Sequence, residues 1–260
     1  MKHVALFLAL LCGISAGRAA ELRYTTFDPN DANSGPAVIL SGEIRKGDYQ
    51  AILRFARKDP IRFNGSVMIL ASPGGDLLEA IRIGGFIKKT YQNVFVNSHI
   101  GKCASACFLI YVAAVDRSAI VPGLGIHRPY FAPSEFEKMP LREAEQKHRR
   151  LMDAVRKYLE DQQVPQYLIE RMFSLASTEI YWLNYDDISS VGVRANWWDQ
   201  LLVDRCKLDK QLDQGFLNEG DHFARAAEAR EHISRVAACA YTISAEERKR
   251  NLKELLGATR

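Results

Sequence analysis

The feature that most constrains the fold is a series of short, continuously apolar runs set between stretches of helical periodicity. Residues 37–40, 67–71, 94–96 and 119–121 are too short to be helices, and they lack the apolar–polar alternation of a strand with one wet face. Between the first two runs, Asp48 is expected to cap a helix whose apolar positions 49, 52, 53 and 56 share one face, and Asp59-Pro60 stops it. After the second run, Asp76 opens a helix with Leu77, Ala80, Ile81, Gly84 and Ile87 as its inward stripe. Strands without alternation, separated by amphipathic helices, are the pattern of parallel βαβ units covered on both faces. The class is α/β.

After Pro140 the pattern turns helical. Leu141, Ala144, His148, Leu151, Met152, Val155 and Leu159 form one long stripe, and Pro165 starts a second helix with Leu168, Ile169, Met172 and Phe173 inside. Tyr181-Trp182-Leu183 reads as extended, and Asn184 as the cap of a short turn ending at Gly192. Residues 194–260 read as a helical extension, with Ser244 and Glu247 as a capping box for the last helix and Gly257 at its exit. Residues 21–36 are polar and turn-rich, which predicts an N-terminal lead-in arm before a main domain over 37–193.

A chain of 260 residues is long enough to bury a sizeable core. Residues 1–20 read as an export signal: Lys2 and His3 precede an apolar run, 4–14, and small residues end at Ala19-Ala20. Leu11 before Cys12 argues against a lipoprotein anchor, and no other segment is apolar enough to span a bilayer. The formal charge of +4 falls to +2 once Lys2 and Arg18 leave with the signal, and no basic cluster remains to bind nucleic acid. The mature protein is therefore expected to be exported, periplasmic or secreted. In such a compartment Cys103, Cys107, Cys206 and Cys239 are disulfide candidates. Four cysteines allow three pairings, of which 103–107 with 206–239 is preferred.

Three stretches carry candidate chemistry. Lys102-Cys103-Ala104-Ser105-Ala106-Cys107 runs into an apolar segment, which places Ser105 in the first turn of a buried helix among free main-chain N–H groups. Ser72-Pro73-Gly74-Gly75 follows a strand, and its glycines let backbone approach a ligand. Ile126-His127-Arg128-Pro129 follows another apolar run, and a histidine serves as general base to a serine hydroxyl within hydrogen-bond reach. Singly, these are an ordinary βα turn, a helix cap and a structural histidine. Together, each falls at a strand's C-terminal edge or a helix start, where α/β sheets place ligand sites.

In that order, with Arg117 after the apolar helix, the three motifs resemble the proteolytic subunit of the Clp protease and the wider ClpP/crotonase superfamily. The resemblance spans about residues 37–193. It implies a ClpP/crotonase-like spiral of ββα units, a subunit-contacting helix at 141–161 and a homo-oligomer. It also implies a serine hydrolase acting on peptides or unfolded protein segments. By motif position, Ser105 is the nucleophile, His127 its base, and the Gly75 and Ala106 N–H groups the oxyanion hole, with Gly74 shaping the turn. No cofactor or metal is required. A lysine-based dyad, as in related signal-peptide peptidases, fits less well because His127 occupies the histidine motif.

The chain departs from that pattern in three places. The acid is expected shortly before Trp182-Leu183-Asn184, where Glu179 is the nearest preceding carboxylate; Asp186 and Asp187 look like helix-start residues. Cys103 and Cys107 bracket the nucleophile, and a disulfide there would lock it. The 194–260 extension reads as a structural cap stapled by Cys206 and Cys239. The rival reading is a catalytically inactive oligomeric scaffold of the same fold. A crotonase-type acyl-CoA enzyme is a third, disfavoured by export.

Overall fold

The structure is a computed structural model that describes residues 20–27, 34–130, 139–176, 178–215 and 223–257. The expected signal segment, apart from its last residue, lies outside the described residues. Five strands form the larger sheet in the order β1 (Glu21–Thr26), β2 (Pro36–Ser41), β3 (Val67–Ala71), β4 (Val94–Val96) and β6 (Arg117–Ala119). β2, β3, β4 and β6 run parallel, as the continuously apolar runs require, and both faces of β2 and β3 are covered. A second sheet of three strands joins β5 (Cys103–Ala104), β7 (Leu124–Ile126) and β8 (Tyr181–Trp182).

Two expectations fail at the front of the chain. Residues 21–26 are an edge strand paired antiparallel with β2 over its whole length, where a lead-in arm was expected. Their alternation of exposed and half-buried positions is that of an edge with one wet face. Asp48 is the first residue of α1 (Asp48–Lys58), not its cap; the cap position is Gly47, at φ 104°. Side-chain capping comes from elsewhere: buried Glu79, on α3 (Leu77–Lys89), accepts the Gly47 and Tyr49 N–H groups at 2.9 and 2.8 Å. That cap fixes α1 to α3. α1 stops before Asp59-Pro60 as expected, and Asp59 then caps the short α2 (Pro60–Gly65).

α4 (Ala106–Val112) is buried along its whole length and packs against α3, β5 and β7. α5 (Leu141–Asp161) clamps it: the Tyr158 hydroxyl donates to the Leu109 carbonyl at 2.9 Å, and burial pushes the phenol's pKa up. Only the C-terminal half of the long stripe is used, since Leu151, Val155 and Leu159 are buried while Leu141 is exposed. Arg117 is buried at the end of α4 and donates to the carbonyls of Val112, Val191 and Gly192. It ties α4, β6 and α7 (Tyr185–Val191) together; α7 follows α6 (Gln166–Ser174) and β8.

The C-terminal region is helical: α8 (Asn196–Cys206), α9 (Lys210–Gly215) and α10 (Phe223–Gly257). A second core of Val115, Ala195, Trp198, Leu202, Leu208 and Val236 forms beneath it. The Cys206–Cys239 disulfide joins α8 to α10. Ser244 and Glu247 begin no helix. They lie inside α10, where Ser244 Oγ bonds the Tyr241 carbonyl, because nothing between Ala238 and Glu247 breaks the helix. Among the described residues no helix is long and apolar enough to cross a membrane.

Candidate active site

The turn after β3 is built by its glycines. Ser72 is fully buried and its Oγ accepts the Gly74 N–H at 3.1 Å, while its carbonyl accepts the Ala104 N–H at 3.0 Å. Gly74 has φ 102° and Gly75 φ 140°, both in the region that disfavours a side chain. A Cβ on Gly74 would stand 2.6 Å from Ser105 Cβ and 2.9 Å from Ala106 N; one on Gly75 would meet the Ile44 carbonyl at 2.1 Å. The Pro73-Gly-Gly75 turn is thus pressed directly against the serine.

Ser105 is at the junction of β5 and α4, at the cap position rather than in the first turn. Its backbone is φ 58°, ψ −126°, a strained strand-to-helix turn, and its side chain caps nothing. The surroundings enforce that conformation. Ser105 N–H donates to the Gly125 carbonyl at 3.0 Å, the Phe108 N–H to the Ser105 carbonyl at 2.9 Å, and a Cys103–Cys107 disulfide closes around it with Cα atoms 5.3 Å apart. Cys103 lies on β5 and Cys107 in α4, so the pair bridges two elements rather than two turns of one helix. Both preferred pairings, 103–107 and 206–239, are present.

His127 follows β7, the strand that pairs with β5, so the ladder that holds Ser105 also delivers the histidine to the same edge. Gly125 leaves room for Trp182 across the β7–β8 pair, where a Cβ would meet the indole at 2.9 Å. His127 is 8% exposed. Its Nδ1 lies 2.8 Å from the Arg128 carbonyl oxygen, and the Tyr130 ring packs against it at 5.7 Å between centroids. A carbonyl only accepts, so Nδ1 carries a proton, and in the neutral ring the lone pair is on Nε2.

Ser105, His127, Gly74 and Gly75 line one cleft of about 680 Å³. Ile44, Leu77, Leu78, Leu151 and Tyr130 supply apolar wall, and Glu43, Arg45, Lys46 and Lys147 also line it. Among the described residues the Gly75 and Ala106 N–H groups have no acceptor, and no hydrogen bond joins Ser105 Oγ to His127. Glu179 is not brought in. It is exposed, in the turn before β8, and it bonds neither His127 nor any other described side chain. Asp187 is a helix-start residue as expected. It completes a capping box with Asn184 and accepts both the Tyr167 and Tyr181 hydroxyls.

Sequence reasoning missed the 42–46 loop and Lys147. Flanking Gly42 and Gly47, both at positive φ, were the available signal for the loop. Lys147 carried none, because it interrupts no pattern on α5. No group of His, Cys, Asp or Glu among the described residues could hold a metal ion.

No protein-family model matches the chain, and no curated protein sequence does. Two solved structures are similar at a distance. One is a point mutant of the 1510-N membrane-bound stomatin-specific protease, at 16% identity and TM-score 0.41, covering 65% of this chain and 83% of that one. The other is a second point mutant of that protease in complex with a substrate peptide, at 17% identity and TM-score 0.36, covering 61% and 72%. Likenesses at this distance decide neither fold detail nor chemistry.

Proposed function

We propose that the protein is a serine peptidase of ClpP/crotonase-like architecture, acting on peptides or unfolded segments outside the cytoplasm. One observation carries the reading: a serine in a strained strand-to-helix turn shares a cleft with a histidine in the base-competent tautomer and with Gly75, whose main-chain N–H is unengaged. In the reaction, Ser105 Oγ attacks the scissile carbonyl carbon as its proton passes to His127 Nε2. The carbonyl oxygen, now an oxyanion, is held by the Gly75 and Ala106 N–H groups, which need no reorganisation because nothing else uses them. Collapse breaks the C–N bond, the leaving amine takes the proton from His127, and water repeats the sequence on the acyl-serine. The two disulfides support an oxidising compartment, and the exposed first turns of α5 support self-assembly there.

A lysine base is the second reading, favoured by one fact: Lys147 lines the same cleft as Ser105. Hydrolysis of a fluorogenic peptide library by wild type and by Ser105→Ala, His127→Ala and Lys147→Ala variants separates the possibilities. The histidine reading expects a loss of roughly a thousand-fold or more for the first two and a small effect for the third. The reverse order between His127 and Lys147 selects the lysine. No hydrolysis and no acylation by folded wild type selects an inactive scaffold.

A further inference from the structure

We infer that the group orienting His127 is the main-chain carbonyl of Arg128, and that no carboxylate among the described residues takes part; this rests on the peptidase reading of Ser105 and His127. The carbonyl oxygen occupies Nδ1 at 2.8 Å, the position from which an acid would otherwise hold the ring. The bond sets the tautomer, which is one of the two things a triad acid does. The other, stabilising the imidazolium, it does only through a dipole and not through a full charge.

Local sequence makes that carbonyl a fixed element. The helical region is disfavoured for the residue before a proline, so Pro129 biases Arg128 toward extended backbone and narrows where its carbonyl points. On its other flank the ring of Tyr130 packs on the imidazole. Geometry also keeps Glu179 away. β7 pairs with β8 as Gly125 with Trp182 and Ile126 with Tyr181, so extending the register by one residue sets Ile180, not Glu179, across from His127. Glu179 lies beyond that ladder, exposed in a turn where its N–H donates to the Ala176 carbonyl at 3.1 Å, and it makes no bond to His127. His127-Arg-Pro-Tyr130 is a self-contained positioning unit.

The identity of residue 129 gives a clean test. Replacing Pro129 by an α-hydroxy acid through nonsense suppression turns the 128–129 amide into an ester and weakens the Arg128 carbonyl as an acceptor. Because proline has no N–H, no donor is lost, and Pro129→Ala controls for the missing ring. Two readouts are taken on the oxidised protein: the His127 ring in long-range ¹H–¹⁵N spectra, assigned with His127→Asn, and the rate of fluorophosphonate labelling. The expected result is an Nδ1–H tautomer whose proton shift is unmoved in Glu179→Gln and moves in the ester variant. Labelling should stay within about two-fold of wild type in Glu179→Gln and slow by about ten-fold in the ester variant. An Nε2–H tautomer overturns the inference. So does a Glu179→Gln variant that shifts the Nδ1 proton or labels about a hundred-fold more slowly. If wild type is not labelled at all, the peptidase reading falls while the ring spectra still decide what orients His127.

Discussion

Gly74 and Gly75 show how little freedom single positions have at the cleft. Each combines a positive φ with a neighbour closer than any real Cβ contact, and in Gly74 that neighbour is the serine itself. Gly74→Ala and Gly75→Ala are expected to lower kcat by about 10²–10³-fold, the range for loss of an oxyanion donor, while the far-UV spectrum stays native. Full activity in either variant would remove the glycine turn from the site. Tyr111 makes the opposite point. It is fully buried in α4, its hydroxyl has no partner among the described residues, and burial pushes its pKa from 10.0 up to about 12. The folded state therefore holds its phenol proton more tightly than the unfolded chain does. The associated stability is present in full below pH 10.0 and is lost as pH rises toward about 12. Tyr111→Phe should be neutral or stabilising by about 1 kcal/mol at neutral pH and should unfold at higher pH than wild type in alkaline titrations. A variant less stable on both counts would mean that the hydroxyl has a partner.

Elements are held to one another mainly by bonds across sequence. The two disulfides divide the labour. Closing a loop over 33 residues, Cys206–Cys239 constrains the unfolded chain by about 4 kcal/mol; Cys103–Cys107, over 4, does so by about 2. Only the second encloses the strained serine. Replacing Cys206 and Cys239 by alanine should lower Tm with kcat intact, and Cys103→Ser with Cys107→Ser should lower kcat at a small cost in Tm. Equal effects on both quantities would deny that the short ring preorganises Ser105. α5 is fixed by its buried Leu151, Val155 and Leu159 and by the Tyr158 hydroxyl. Gly84 on α3 leaves a notch for the Tyr158 hydroxyl, which a Cβ would meet at 2.2 Å. Gly84→Ala is expected to destabilise by about 1–3 kcal/mol in chemical denaturation through overpacking, more than the conformational gain of alanine in a helix returns.

Across the whole molecule, the parallel strands and the turns that carry Ser72–Gly75, Ser105 and His127 follow from features that sequence displays. Runs at 67–71 and 94–96 are β3 and β4 to the residue, since an apolar run bounded by Ser66 and Ala71-Ser72 leaves no other boundary. Ser72-Pro-Gly-Gly75, Ser105 and Ile126-His127 are legible because each requires a residue type that few positions tolerate. The strand at 119–121 was displaced by two residues, since β6 is only half covered and starts at buried Arg117, a charged residue that no hydropathy pattern marks as strand. Edge strand β1 was hidden by its polarity, and the 42–46 loop by having no periodicity at all. Where Glu179 lies relative to His127 is something that one chain of letters does not carry: only the structure shows it exposed in the turn before β8, with no bond to the imidazole. The Arg128 carbonyl was invisible in principle, because main-chain groups have no letter.

The central claim is that Ser105 is an activated nucleophile. Its most direct test is the intact mass of the oxidised protein after exposure to a fluorophosphonate, with the adduct mapped by peptide sequencing and with Ser105→Ala and His127→Ala alongside. The account predicts one adduct, on Ser105, absent from Ser105→Ala and strongly slowed in His127→Ala. A folded, oxidised wild type that stays unmodified, or an adduct on any other residue, would contradict it.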